Sequence, residues 1–184
     1  CYHKYDKLKR AQALLKEQIV QCADNIRYLA STEASLQASS TLSEIAEIRA
    51  ELIASGYLHE KLKKKSQDKP SRPFRFRTPD GHDILVGKNN YQNDKLTFKT
   101  ASFNDLWLHT KDTPGSHVIL RLEGEEPSEE NILLAAELAA HFSKASGSSK
   151  IPVDYTFCRY VKKPSGSKPG FVIFTNQKTL YITP

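Results

Sequence analysis

The placement of proline most constrains what this chain can fold into. All nine prolines lie at Pro70 or beyond, and the first 69 residues contain a single glycine, Gly56. Proline breaks a helix and glycine weakens one. A stretch this long without either can be continuously helical, whereas the remainder, with its seven glycines, is cut into short elements. The expected organisation is a helical arm joined to a compact mixed domain. A length of 184 residues accommodates one domain plus such an appendage. No apolar run approaches the roughly 18 residues of a membrane span.

Within the arm, Leu8, Leu15, Cys22, Leu29 and Leu36 recur every seven residues, with Ile19 and Ile26 at the intervening positions. This spacing predicts a long helix with a coiled-coil seam, interrupted by Gln12 and Glu33. No second heptad run follows, so the partner helix is expected upstream in a parent protein or in a second copy. The alternative is an amphipathic helix lying on its own domain. The periodicity breaks at Gln37–Ser40, and Thr41 with Glu44 forms a capping box for a second helix. Leu42, Ile45, Ile48 and Leu52 are its expected buried stripe. Gly56 suits a C-terminal cap, and Tyr57 and Leu58 an anchor after it. The arm is taken as residues 1–60, a basic linker as 61–73, and the domain as 74–184.

The domain reads as α+β: a largely antiparallel sheet covered by one long helix. Phe74-Arg75-Phe76-Arg77 alternates as a strand with arginines outward, and Asp80-Gly81 turns it into a second strand at Ile84–Val86. Asn89 to Ala101 reads as a short helix or turn. Leu106–Leu108 and Val118–Leu120 are strands flanking a Pro114-Gly115 turn. Ser128 caps a helix to about Lys144, with Glu129 and Glu130 at its positive end and Ile132, Leu133, Ala136, Ala139 and Ala140 inward. Val153–Tyr160, Phe171–Phe174 and Thr179–Ile182 complete the strands.

The formal charge of +6 divides evenly. Residues 1–69 hold 12 basic and 9 acidic side chains, and residues 70–184 hold 15 and 12. Within that balance the signs are segregated. Lys61, Lys63, Lys64, Lys65, Lys69, Arg72, Arg75 and Arg77 stand against Asp68 alone, while Glu123, Glu125, Glu126, Glu129 and Glu130 gather on one stretch. Lys162, Lys163 and Lys168 occupy a late loop, and Lys95, Lys99 and Lys111 flank the middle of the domain. A surface facing a polyanion is the expectation. Lys88, Asn89 and Asn93 add hydrogen-bond donors beside the basic strand.

The segment Asp105 to His117 concentrates reactive residue types. His109 or His117 as base, Ser116 as nucleophile and Asp105 or Asp112 as orienting group would make a hydrolytic site. No nucleophile elbow surrounds Ser116, so a polar turn or RNA contact through His109, Lys111 and His117 is preferred. A metal reading would need a third ligand, for which His82 is the candidate. Gly81 to Asn90 is not a phosphate loop. Cys1, Cys22 and Cys158 lack metal-binding spacing and suit free thiols in a reducing compartment. No catalytic residue, metal or cofactor is expected. The absence of methionine and the start inside a helical pattern lead to the expectation of a segment from a longer protein.

The run DGHDILVGKNNYQNDKLTFKTASFNDLWLHTKDTPGSHVIL resembles the signature of the NFACT-R domain, as do ILLAAELAAHFSKAS and VDYTFCRYVKKPSGSKPG. HKYDKLKRAQ through EIRAELIASGYL resembles the second coiled-coil arm of the same proteins. Asp80, Gly81, Gly87, Asn93, Asp105, Trp107, His109, Gly115, Ser116, His117, Lys162 and Lys163 match the family pattern. The resemblance implies an RNA-binding, non-enzymatic module of a cytoplasmic, ribosome-associated protein. Its partners would be the large ribosomal subunit, rRNA and tRNA. Its role would be to help recruit alanyl-tRNA for alanine tailing of stalled chains. Streptococcal relatives are described as binding fibronectin, so the alternative is a surface-exposed adhesin fragment with host fibronectin as partner.

Overall fold

A computed structural model of the chain describes residues 2–59 and 71–183. Helix α1 spans Tyr2–Ala38, a length of about 55 Å at about 1.5 Å per residue. Its heptad residues Leu8, Leu15, Ile19, Ile26, Leu29 and Leu36 are 41–68% exposed. The seam therefore faces away from the domain and has no partner among the described residues. A different, more polar face, carrying Asn25, Tyr28, Ser31 and Thr32, turns inward.

Helix α2 (Leu42–Ala54) begins at Thr41 with both halves of the capping box in place. It ends at Gly56, whose φ of +81° is the left-handed geometry that favours glycine. The Tyr57 and Gly56 amides donate to the Leu52 and Ile53 carbonyls there. The expected apolar stripe is corrected by the structure. Leu42 is 85% exposed and Ile45 is exposed, while Glu44, Ile48 and Glu51 are buried. The reason is the surface α2 meets. It is made of amide and ammonium donors, and the carboxylate face satisfies them. Of the expected anchor, Tyr57 stacks on Tyr28 with centroids 5.5 Å apart, and Leu58 is exposed. The expected linker residues Lys61, Lys63, Lys64 and Lys65 lie outside the described residues.

The domain is α+β. Strands β1 (Phe74–Arg77), β2 (Asp83–Val86), β3 (Leu106–Thr110), β4 (Val118–Leu120), β5 (Ile151–Phe157) and β8 (Lys178–Ile182) form one sheet in the order β1-β2-β4-β3-β5-β8. Every neighbouring pair is antiparallel. Helix α4 (Glu129–His141), capped by Ser128, covers one face. Its buried residues are Asn131, Ala135, Ala136, Ala139 and Ala140, with Ile132 partly buried, whereas Leu133 projects into solvent. Alanine at four of those positions lets the helix axis approach the sheet closely, and this sets the inward stripe one residue away from Leu133.

The opposite face is covered by smaller elements. Helix α3 (Asn90–Lys95) runs into a π-helical turn (Leu96–Thr100). After β5, a 3-10 turn (Cys158–Tyr160) leads into the two-stranded ribbon β6 (Val161–Lys162) and β7 (Ile173–Phe174). Leu96, Trp107, Ile119, Cys158 and Val161 form the buried core on this side. Strand alternation divides the two cores: Leu106 and Leu108 face α4, while Trp107 and His109 face the ribbon.

Candidate nucleic-acid interface

The arm is fastened to the domain by three glutamates on one face of α2. Glu44, Glu47 and Glu51 follow helical spacing, so all three meet the segment that opens α3. Glu44 accepts the Lys88 ammonium at 2.6 Å. Glu47 accepts the Asn89 side-chain amide at 2.8 Å and the Ser71 hydroxyl at 2.9 Å. Glu51 accepts from the Asn90 amide at 2.8 Å and the Tyr28 hydroxyl at 2.9 Å. Ser31 of α1 donates to Asn90 at 2.7 Å. Burial alone would raise the Glu44 pKa. The Lys88 hydrogen bond, the Ser40 and Thr41 amides and the Lys88 charge outweigh it and lower the pKa to about 2. Glu51 goes the other way, raised by burial. Its second oxygen has no hydrogen-bond partner among the described residues.

Several of the sequence-predicted contact residues are thus occupied. Lys88 pairs with Glu44 and also lies 4.1 Å from the Phe74 ring centroid. Asn89 caps α3, its side-chain oxygen accepting from Gln92 at 2.9 Å. The Asn93 side-chain oxygen accepts the His117 amide at 3.1 Å. Asn89, Asn93 and His117 are each 2% exposed, which turns them inward in this conformation. The Lys168 ammonium sits 4.8 Å from the Tyr57 ring and 5.5 Å from the Tyr28 ring, over the junction. Lys163 pairs with Asp94. Asp94 also accepts the Gly170 amide at 3.0 Å.

The reactive-looking segment around His109 and His117 forms a packed cluster. Trp107 is 1% exposed, stacks on His109, packs at a tilt against Phe174, and meets His117 edge-on. His117 lies 3.2 Å from the Gly170 carbonyl through Nε2 and 2.8 Å from the Thr97 hydroxyl through Nδ1. A carbonyl can only accept, so Nε2 holds the proton and Nδ1 accepts from Thr97. Burial pushes the pKa of both histidines down, that of His117 well below its ordinary value. Asp105 accepts the Ser102 amide at 2.7 Å and the Leu122 amide at 3.0 Å. The hydrolytic arrangement is therefore not assembled. His117 and Asp105 spend their polar atoms on the scaffold. Among the described residues no group of three His, Cys, Asp or Glu side chains is placed to hold a metal.

The remaining cations are arranged by face. Residues 90–104 and 158–174, which cover the ribbon side, contain six basic side chains (Lys95, Lys99, Arg159, Lys162, Lys163, Lys168) and one acid, Asp94. Residues 121–141, comprising α4 and its approach, contain six acids and one base, Arg121. The segments that cover the two faces of the sheet are thus opposite in sign, +5 on the ribbon side and −5 over 121–141. Among the described residues Lys95, Lys99, Lys111, Arg159 and Lys162 make no ion pair. Arg75 and Arg77 project from β1 but share Asp83, at 2.5 and 3.5 Å. That carboxyl is held below its usual range chiefly by Arg75, and one net positive charge remains. The sequence reading missed the inward glutamates. Their signal was the 44, 47, 51 spacing, overlooked because an apolar stripe was sought.

Comparison with known proteins agrees with this architecture. Residues 1–71 match the NFACT N-terminal and middle domains, and residues 72–176 match the NFACT protein RNA binding domain. The chain is 46% identical to Rqc2 homolog RqcH of Bacillus subtilis (strain 168) and 47% identical to Rqc2 homolog RqcH of Streptococcus suis (strain 05ZYH33). Both alignments cover all of this chain but only 32% and 33% of those proteins, so the chain spans about one third of the relatives it matches. The solved C-terminal structure of the fibronectin/fibrinogen-binding protein from Streptococcus suis superposes with a TM-score of 0.92 at 47% identity. That match covers all of this chain and 73% of the other. An α-helical arm fastened to a polarised α+β domain, matched along its whole length by these relatives, makes this chain a member of the NFACT family.

Proposed function

We propose that this chain is the RNA-engaging C-terminal part of a ribosome-quality-control factor. The full protein would bind obstructed large ribosomal subunits and help recruit alanyl-tRNA for alanine tailing of stalled chains. The single observation that supports RNA contact here is the polarisation of the domain, with unpaired cations on the ribbon side and carboxylates on the α4 side. RNA would lie against the ribbon face. Lys162 of the predicted set would make phosphate contacts there, joined by Lys95 and Lys99, and Lys111, on the turn after β3, would add to them. Arg75 and Arg77 contribute at the sheet edge, and Lys61, Lys63, Lys64 and Lys65 extend the same charge along the sequence. The peptide bond is left to the ribosome, so the chain's task is positioning.

The test is binding of the 184-residue chain to large ribosomal subunits and to tRNA across a salt series. Affinity through several phosphates falls steeply, with a log–log slope of about −0.7 to −0.9 per phosphate contact. Combined charge reversal of Lys95, Lys99 and Lys162 should weaken binding and flatten that slope while the melting curve is unchanged. The structural relative's title names fibronectin and fibrinogen, which favours a host-protein reading as the alternative. Negligible RNA affinity at low salt together with fibronectin binding at physiological salt would replace the RNA reading.

A further inference from the structure

Phe103 is 80% exposed, more than any other aromatic side chain among the described residues. A phenylalanine has no polar tip to satisfy, so nothing in the fold calls for it to stand in solvent. Its backbone, in contrast, is held on every side. The Phe103 carbonyl accepts the Arg159 amide at 3.2 Å. Ser102 and Asp105 are tied to each other twice, amide to carboxylate at 2.7 Å and amide to carbonyl at 3.0 Å. The Asp105 carbonyl accepts the Cys158 amide at 2.9 Å. The ring is thus presented outward from a fixed loop, which lowers the ordering cost of anything that binds it.

What surrounds the ring identifies its partner. Arg159 is held over two aromatic rings, its guanidinium carbon 4.3 Å from the Phe157 ring centroid and 5.2 Å from that of Tyr160. One of its N–H groups donates to Asn104 at 2.6 Å. The others, of five in a guanidinium, meet no carboxylate among the described residues. The π-helical turn that runs into this loop adds unpaired Lys99 and the half-exposed ring of Phe98. Asp105, the acid within the loop, is buried and consumed by backbone amides and Arg121. An exposed aromatic face beside an oriented guanidinium, in cationic surroundings, fits a base and its phosphate together.

We infer that Phe103 and Arg159 form a stacking site for an unpaired RNA nucleotide, the base lying on the Phe103 ring and a flanking phosphate taken by Arg159. The inference rests on the RNA-binding reading and goes beyond it by specifying single-stranded over duplex RNA. In a duplex the bases are already stacked on each other and offer no free face.

The test is fluorescence anisotropy of the 184-residue chain with a labelled, unstructured RNA of about 12 nucleotides and with a blunt duplex of the same length. Phe103→Ala and Phe103→Leu should each weaken single-strand binding about 5- to 150-fold, the range a lost base–aromatic stack gives. Phe103→Trp should keep it, because indole also stacks. Duplex binding should be unchanged in all three. Retained binding in Phe103→Leu would mean generic apolar contact, and unchanged binding in Phe103→Ala would remove the site altogether. Equal losses on single strand and duplex would also overturn it. Wild-type chain that binds neither RNA would defeat the RNA reading itself, an outcome distinct from normal RNA binding that ignores Phe103. An unaltered melting curve for each variant is expected, since the ring is outside both cores.

Discussion

The Lys88 ammonium and the Glu44 carboxylate, 2.6 Å apart, join the start of the RNA-binding domain to the first turn of a helix in the arm. Glu44 is at the same time the N3 residue of its own helix's capping box. One carboxylate therefore both starts α2 and attaches it.

Removing Lys88 should loosen that attachment. Lys88→Ala leaves a buried carboxylate without its cation, though Ser40 and Thr41 still donate to it. The expected cost is about 3 kcal/mol, at the lower end for breaking a buried pair. Chemical denaturation checks the magnitude. Hydrogen exchange should show the loss concentrated at the α2–α3 junction. A loss below about 0.5 kcal/mol, the usual value for an exposed pair, would show that the pair does not hold the arm.

Glu51 should impose the opposite pH dependence to Glu44. Its pKa is raised in the folded chain by burial. The stability it contributes is complete below the unfolded pKa of about 4.3 and is lost as pH rises through the folded value. Glu44, depressed to about 2, contributes above its unfolded pKa and loses that contribution as pH falls toward 2. In Glu51→Gln the first titration disappears. The stability difference between variant and wild type should therefore shift in favour of the variant as pH rises from about 4, and a difference independent of pH would refute the assignment.

The buried histidines should destabilise the domain in mild acid. His109 and His117 have depressed pKa values. Both are neutral in the folded and unfolded states above about pH 6.5. Below that, the unfolded chain takes up protons that the folded chain does not, and stability falls. His117→Gln should reduce this slope between about pH 7 and 5, measured by urea denaturation at stepped pH. An unchanged slope would place the titration elsewhere.

Trp107 belongs to the core. Trp107→Ala should cost about 3–5 kcal/mol, since the indole is enclosed by His109, His117 and Phe174. Trp107→Phe should cost much less than its lost volume suggests. The indole N–H has no hydrogen-bond partner among the described residues, and its removal recovers about 1–3 kcal/mol of desolvation. A normal melting temperature with lost RNA binding in Trp107→Ala would instead make the indole a contact residue.

Elements whose determinants are local were legible in the sequence. The β1–β2 hairpin follows from the alternation of Phe74 to Arg77 and the turn at Asp80-Gly81. Both long caps follow from Thr41 with Glu44 and from Ser128. The helix that carries the α1 seam was legible too. The inward face of α2 was not, because it depends on donors some forty residues later in sequence. Lys88, Asn89 and Asn90 meet Glu44, Glu47 and Glu51 rather than Leu42 and Ile45, and the 44, 47, 51 spacing marks a shared face without saying that it turns inward. Lys88, Asn89, Asn93 and His117 looked like ligand contacts for a related reason. Polar residues at a turn carry one signature whether they bind a partner or the protein itself. Burial separates the two, and burial arises only from the assembled tertiary structure.

The fastening of α1 has a mechanical consequence. From Asn25, where Tyr57 donates to it at 2.6 Å, the helix extends about 35 Å to its first turn at about 1.5 Å per residue. A tilt of only about 6° at the fastening moves that far end by about 4 Å over such a radius. The arm has the proportions of a lever pivoting at Asn25, and two turns further on Ser31 and Thr32 bear on Asn90, against which a side chain on Gly170 would strike. Force applied at the distal leucines arrives, multiplied in size and reduced in travel, at the residues that adjoin the cationic face.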